Sequence, residues 1–279
     1  MMTFGPGGNS ESWGKNKFPD DLPAYLKGLG LNGYEIECGR GVRVSQAAYD
    51  KLPQLAEDNG IFLTLHAPYY ISLSGTSEET RIKSVDYIME AMRAADALGA
   101  KKVVVHSGSC AKITRETAME YAKDTITRAL AQMKDEGIKA VFCPETMGKI
   151  NQLGTLEEVV ELCTLDDSML PCVDFGHLNA RTLGGIKTSE DYAKLLDTIE
   201  NKLGFDRLAN MHVHFSKIEY TAGGEKRHLT FEDNEYGPQY EPLMELFAKR
   251  GLSASVICES AGTQAEDAAL MKKCYETFI

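Results

Sequence analysis

Short apolar or β-branched runs recur about every 30 to 45 residues along the chain, separated by stretches of helical period, as in a parallel sheet wrapped by helices. Eight such runs can be read, at residues 2–4, 33–37, 61–65, 102–105, 140–143, 170–173, 209–214 and 253–258. Eight strands close such a sheet, so the pattern predicts an α/β fold, a single (β/α)8 TIM barrel spanning residues 1–279. Helix starts support it: Thr155 stands three residues before Glu158, Thr188 three before Asp191, and Pro242 suits a first turn. Gly28, Gly60, Gly137, Gly204 and Gly251 are placed to end helices. Residues 5–20, rich in Gly, Ser, Asn and Lys, read as one long loop on the top face.

Composition adds boundaries. The seven cysteines are scattered, odd in number and never spaced Cys-x-x-Cys, which argues against a disulfide framework or a thiolate metal site. Cys143, Cys172 and Cys258 lie inside apolar runs and read as small core hydrophobes. No apolar run approaches the roughly 18 residues of a membrane span, and the N-terminus lacks a secretory pattern; the expectation is a soluble, cytoplasmic protein without membrane contact. The net charge of −11 speaks against a broad nucleic-acid surface, so a polyanion partner would need a local patch of positive charge. Nothing in the chain points to an obligate protein partner.

The chemistry concentrates at strand ends. Of six histidines, His66 and His106 directly follow apolar runs, His177 comes four residues after Val173, and His212 and His214 sit within the seventh run; only His228 stands off. Glu145, Asp174 and Glu259 occupy equivalent places. In a barrel the carboxyl ends of all strands form one face, so these residues converge in one bowl. Imidazole plus carboxylate without thiolate suits zinc, manganese or iron, and the donors exceed what one ion needs, which favours two or three ions. Crowding the same groups together without cations would be very costly. Bound cations would leave the bowl positive enough for a phosphate, and Lys149, Arg181, Lys217, Lys226 and Arg227, all just past strand ends, would add to that field.

From about Phe62 to Glu259 the sequence resembles the endonuclease IV family of apurinic/apyrimidinic endonucleases, within the xylose-isomerase-like barrels. The resemblance is carried by His66-Ala-Pro-Tyr69, by Asp174-Phe-Gly-His177, and by Phe205-Asp-Arg-Leu208 leading to His212 and Ser216-Lys217. It implies one ion on His66, His106 and Glu145, a second on Glu145, Asp174, His212 and Glu259, and a third on His177 and His228. It further implies zinc, with manganese as the alternative, and damaged double-stranded DNA as the partner, cut 5′ to an abasic site by a metal-positioned hydroxide. Glu145, Glu259 and Tyr69 would be catalytic, with Tyr69 lining the place of the abasic sugar and Lys217 and Arg227 contacting substrate; in the loop of residues 38–43, which departs from the family's DNA-inserting loop, Arg40 or Arg43 would serve.

The chain departs from that pattern in places. The family's third ion takes an Asp two residues before its loop His, where this chain has Lys226, leaving Glu225 or His214 as substitutes, or a two-ion site. The fourth-strand His106-Ser107-Gly108 lacks the usual proline, and Gly5-Pro-Gly-Gly-Asn9 replaces the family's first-strand ending. Two other readings compete: a sugar isomerase or epimerase using one ion on Glu145, Asp174, His212 and Glu259, and a non-catalytic barrel retaining its metals.

Overall fold

The computed structural model describes residues 1–279. Strands β1 (Thr3–Pro6), β2 (Gly33–Glu37), β3 (Phe62–His66), β4 (Lys102–His106), β5 (Val141–Glu145), β6 (Cys172–Asp174) and β7 (His212–Phe215) are followed by a hairpin, β8 (Lys217–Thr221) and β9 (Gly224–Leu229), and by β10 (Ser255–Cys258). The helices between them are α1 (Leu22–Gly28), α2 (Gln46–Asn59), α3 (Glu78–Leu98), α4 (Arg115–Glu136), α5 (Leu156–Leu162), α6 (Phe175–Arg181), α7 (Ser189–Leu203), α8 (Phe205–Ala209), α9 (Glu241–Arg250) and α10 (Gln264–Glu276). Eight strands pair in parallel in the order β1-β10-β7-β6-β5-β4-β3-β2, and the hairpin forms a separate two-stranded sheet. The eight expected runs are thus the eight barrel strands.

Closure falls between β1 and β2, where the Asn32 amide donates to the Phe4 carbonyl (3.1 Å) and the Gly8 amide to that of Glu35 (3.0 Å). The seam requires glycine: a Cβ on Gly5 would lie 2.0 Å from the carbonyl oxygen of Gly33. The stretch from Gly5 to Asp20 is therefore not all loop. Its start completes β1, and Glu11–Trp13 forms a 3-10 helix that buries Trp13.

Helix ends follow the sequence signals in most places. Thr155 with Glu158 and Thr188 with Asp191 form reciprocal caps, and Gly60, Gly137 and Gly251 take the left-handed conformation that ends α2, α4 and α9. Gly28 instead closes α1 as its last helical residue, and Gly30 takes the positive φ; Gly204 ends α7 in another conformation.

Side chains alternate across each strand with period two. Leu63, Leu65, Val103, Val105, Phe142, Val173, Val213 and Val256 join the large apolar core of the fold. Thr64, His66, Lys102, Val104, Cys143, Glu145, His212 and His214 have the opposite parity, and Val104, Cys143 and Cys172 form a small cluster of their own. Every other residue in this second set is polar or ionisable, so the barrel delivers polar groups to its axis. No helix is long and apolar enough to cross a membrane.

Candidate metal centre

Strand ends supply most of the site. His66, His106 and Glu145 are the last residues of β3, β4 and β5, and Glu259 follows β10 directly. Asp174 ends β6 and caps α6: its Oδ1 accepts the amide of His177 (2.7 Å), while Oδ2 is buried without a hydrogen-bonding donor. The three-residue spacing between Asp174 and His177 is thus a helix cap that holds one carboxylate oxygen and frees the other.

Glu145 is wholly buried at the centre and divides its two oxygens. Oε2 faces His66 Nε2 at 3.4 Å and His106 Nε2 at 3.3 Å, with no hydrogen bond of its own. Oε1 faces His214 Nδ1 at 3.1 Å and His177 Nδ1 at 3.5 Å. Donor atoms of Glu145, Asp174, His214 and Glu259 lie within 4.8 Å of one another, as do those of His66, Glu145 and His214.

The imidazoles are oriented from behind. His66 Nδ1 meets the Ala67 carbonyl (2.8 Å), His177 Nδ1 the Thr146 carbonyl (2.9 Å), His228 Nδ1 the Ser216 hydroxyl (2.9 Å), and His214 Nε2 the Glu35 carboxylate (2.8 Å). An anchored nitrogen on one side sets the tautomer and leaves the other as a lone pair, the arrangement found behind metal-binding histidines.

His212 does not belong to this group. It pairs in register with Cys172, whereas His214 pairs with Asp174, so His212 sits two residues, or about 6.6 Å, deeper along its strand. Both of its nitrogens are engaged, Nδ1 with Ser255 Oγ (2.7 Å) and Nε2 with Glu35 Oε2 (3.0 Å) and His214 Nε2 (3.1 Å). The place facing Glu145 and Glu259 that the sequence assigned to His212 is filled by His214. A signal existed: every other donor lies at or beyond its strand's last residues, and His214 is nearer that end.

The third group comes from the hairpin. Donor atoms of His177, Glu225 and His228 lie within 4.8 Å of one another, with Glu225 Oε2 3.4 Å from His177 Nε2. Pairing in the hairpin runs Glu219 with Arg227 and then Tyr220 with Glu225, so Lys226 is the extra residue of a β-bulge. Lys226 and Arg227 both turn to Glu219, at 2.5 and 2.6 Å, and the changed phase brings Glu225 to the side of His228. Of the substitutes for the expected Asp, Glu225 is the one whose carboxylate lies among the donor atoms of His177 and His228.

Without cations the bowl is held by shared protons. Burial disfavours charge on His66, yet the carboxylates of Glu145 and Glu37 outweigh it and push the ring up to about 10; Asp174, Glu145 and Glu225 raise His177 in the same way. Burial likewise opposes ionisation of Glu145, but His177, His214 and His66 bring it well below the usual carboxylate range. Burial, with Glu145, Asp174 and Glu37 nearby, lifts Glu259 to about 8. Buried carboxylate oxygens without donors, facing anchored imidazoles, fit a divalent cation.

Above the site opens a cavity of about 470 Å³ lined by His66, Tyr69, His106, Lys149, Glu225 and Glu259, among others. Tyr69 is 55% exposed, stacks on His106 and points its hydroxyl at Glu37 (3.4 Å). Lys149 is the one lysine or arginine in the lining. The other expected cations are elsewhere: Lys217 is buried and holds the carbonyls of Phe231 and Asp233, Arg181 staples those of Met147 and Gln152, and Arg227 pairs with Glu219. Arg40 is exposed in the loop after β2. Glu35 and Glu37, neither singled out from sequence, reach the centre because alternate β2 residues face the axis.

A family model described as "Xylose isomerase-like TIM barrel" matches residues 23–274. The chain belongs to this family. It is 34% identical over 250 residues to an uncharacterized protein of Methanocaldococcus jannaschii, covering 90% of this chain and 89% of that one. It is 28% identical over 185 residues to a "Probable endonuclease 4" of Methanosphaera stadtmanae, a match spanning 64% of either chain, just under two thirds of that relative's length. Among solved structures, endonuclease IV from Thermus thermophilus superposes with a TM-score of 0.66 at 22% identity, covering 92% of both chains. A D-tagatose 3-epimerase-like protein superposes with a TM-score of 0.71 at 19% identity, covering 91% of this chain and 92% of that one. Such structural likeness shows the shared barrel and leaves the chemistry to the site.

Proposed function

We propose that this protein hydrolyses phosphodiesters at a centre of two or three divalent ions, zinc first among them, and that its substrate is duplex DNA at abasic sites. The observation that carries the reading is Glu145, whose two oxygens face separate sets of imidazoles, as a carboxylate shared between two ions requires. His66, His106 and Glu145 would hold one ion, Glu145, Asp174, His214 and Glu259 a second, and His177, Glu225 and His228 a third. Cations bound there would supply Lewis-acid activation of water and neutralise the charge of a phosphate. The chain's own residues do the rest: Tyr69 offers a flat wall at the mouth for the sugar, Lys149 attracts the anionic backbone, and the anchored imidazoles keep the donors from turning away. The endonuclease 4 relatives support the DNA substrate.

A sugar epimerase would need only Glu145, Asp174, His214 and Glu259; His66, His106, His177, Glu225 and His228 would then have no task. The test is to count metals in the purified protein and to assay a duplex carrying one abasic-site analogue, with and without chelator. Two or three zinc ions with chelator-sensitive incision 5′ to the lesion is the expected result. One manganese ion, no incision and turnover of a ketohexose would overturn it.

A further inference from the structure

Glu35 is wholly buried inside the barrel, where an unpaired carboxylate would be costly to place. Three groups meet it. His214 Nε2 stands 2.8 Å from Oε1, while Thr64 Oγ1 and His212 Nε2 donate to Oε2 at 2.7 and 3.0 Å. Behind His212 the chain of hydrogen bonds continues: its Nδ1 meets Ser255 Oγ (2.7 Å), which accepts from Lys102 Nζ (2.9 Å), and Lys102 also donates to the carbonyls of Asn210 (2.6 Å) and Met211 (3.2 Å).

The donors form a consistent order. Lys102 has only protons to give, so the Ser255 hydroxyl gives its own proton to His212 Nδ1, which leaves Nε2–H of His212 to donate to Glu35. His214 Nε2 lies 3.1 Å from His212 Nε2 and 2.8 Å from Glu35 Oε1, an oxygen with no other partner; with Nε2–H of His212 turned to Oε2, a proton on Nε2 of His214 is the arrangement that faces Oε1 with a donor. The remaining nitrogen, Nδ1, then carries a lone pair toward Glu145 Oε1 (3.1 Å) and Glu259 Oε2 (3.5 Å).

We propose that Glu35 is a positioning residue that acts through His214, fixing the tautomer and ring plane with which His214 meets a metal ion, with Lys102, Ser255 and His212 as its support. The inference rests on the reading of His214 as a ligand and not on the substrate. Outer partners of metal-binding histidines typically contribute about 10- to 100-fold in metal affinity.

The test is equilibrium zinc binding by competition with a chromophoric chelator, measured without substrate on the wild type, Glu35→Gln and Thr64→Val. Glu35→Gln weakens one zinc at least tenfold, whereas Thr64→Val, which removes a contact to the same carboxylate away from His214, stays within about threefold. Unchanged affinity in Glu35→Gln, or equal losses in both variants, overturns the proposal. A second measurement needs no variant: ¹⁵N-histidine spectra of the zinc-loaded wild type should show His214 protonated at Nε2 and metal-shifted at Nδ1, and the reverse assignment overturns it. If these results hold and no phosphodiester is cleaved, the hydrolase reading fails and the assignment of Glu35 stands.

Discussion

Glu225 lies 3.4 Å from His177 although the two are brought together only by a hairpin that changes phase at Lys226. The geometry predicts that Glu225→Gln lowers the bound metal by one ion, whereas Lys226→Ala, which disturbs only the exposed pairing with Glu219, leaves the count unchanged. Metal analysis after desalting separates the two. Loss of an ion in Lys226→Ala with retention in Glu225→Gln would reverse the assignment.

His214→Ala and His212→Gln should differ in kind. The first removes a donor facing Glu145 and Glu259, so a zinc ion is lost. The second keeps the metal, with affinity changed less than about tenfold, but disturbs a buried partner of Ser255 and Glu35 and lowers stability by about 1–3 kcal/mol. Zinc titration paired with urea unfolding reads both effects.

Lys149→Ala removes the one lysine or arginine lining the cavity. If that lysine attracts the phosphate equally in ground and transition states, KM rises about tenfold with kcat little changed. Steady-state kinetics on the abasic duplex gives the two constants, and a fall in kcat alone would place Lys149 in the chemistry instead.

Metal removal should make stability fall as pH rises above neutrality. His66 is held at about 10, above its ordinary value near 6.5, so its stabilising contribution is complete below about 6.5 and is lost as pH climbs through 10. Glu259, raised to about 8 by burial and then by Glu145 and Asp174, likewise favours the folded state only while protonated, and its contribution declines from about pH 4.5 to 8. Lys102, lowered by burial to about 8, works the other way, but it lies deep in the barrel in both forms and cancels in their difference. The gap in melting temperature between zinc-loaded and chelator-treated protein therefore widens from pH 7 to pH 9. A gap that stays constant or narrows would contradict the shared-proton account.

Gly5→Ala drives a methyl group against the Gly33 carbonyl where the barrel closes. Backbone cannot turn aside as a side chain does, so the cost reaches about 3 kcal/mol or more, beyond ordinary overpacking. Chemical unfolding of the variant against wild type measures it, and a loss below about 1 kcal/mol would show that the seam can open.

The barrel was legible in the sequence because its signals are local. Strands and helices announce themselves through periods of two and 3.6, caps through hydroxyls and glycines, and strand ends through the sudden arrival of His66, His106, Glu145 and Asp174. The choice of His214 over His212 had one local hint, nearness to the strand's end, but both share one parity and the register against β6 decided which stands level with Asp174. Glu225 depended on a bulge, which the run Lys226-Arg227-His228 does not reveal. Lys217 and Arg181 looked like rim cations because charge can be read from a chain, whereas the carbonyls that hold them come from loops elsewhere in the fold. Glu35 passed as one polar residue in a strand until closure of the barrel set it against His212 and His214. The sequence by itself determined the architecture and the kinds of side chain that gather at its strand ends, through short-range periodicity and residue type. Tertiary structure decided which donors meet, because register, phase and closure are relations between segments far apart in the chain.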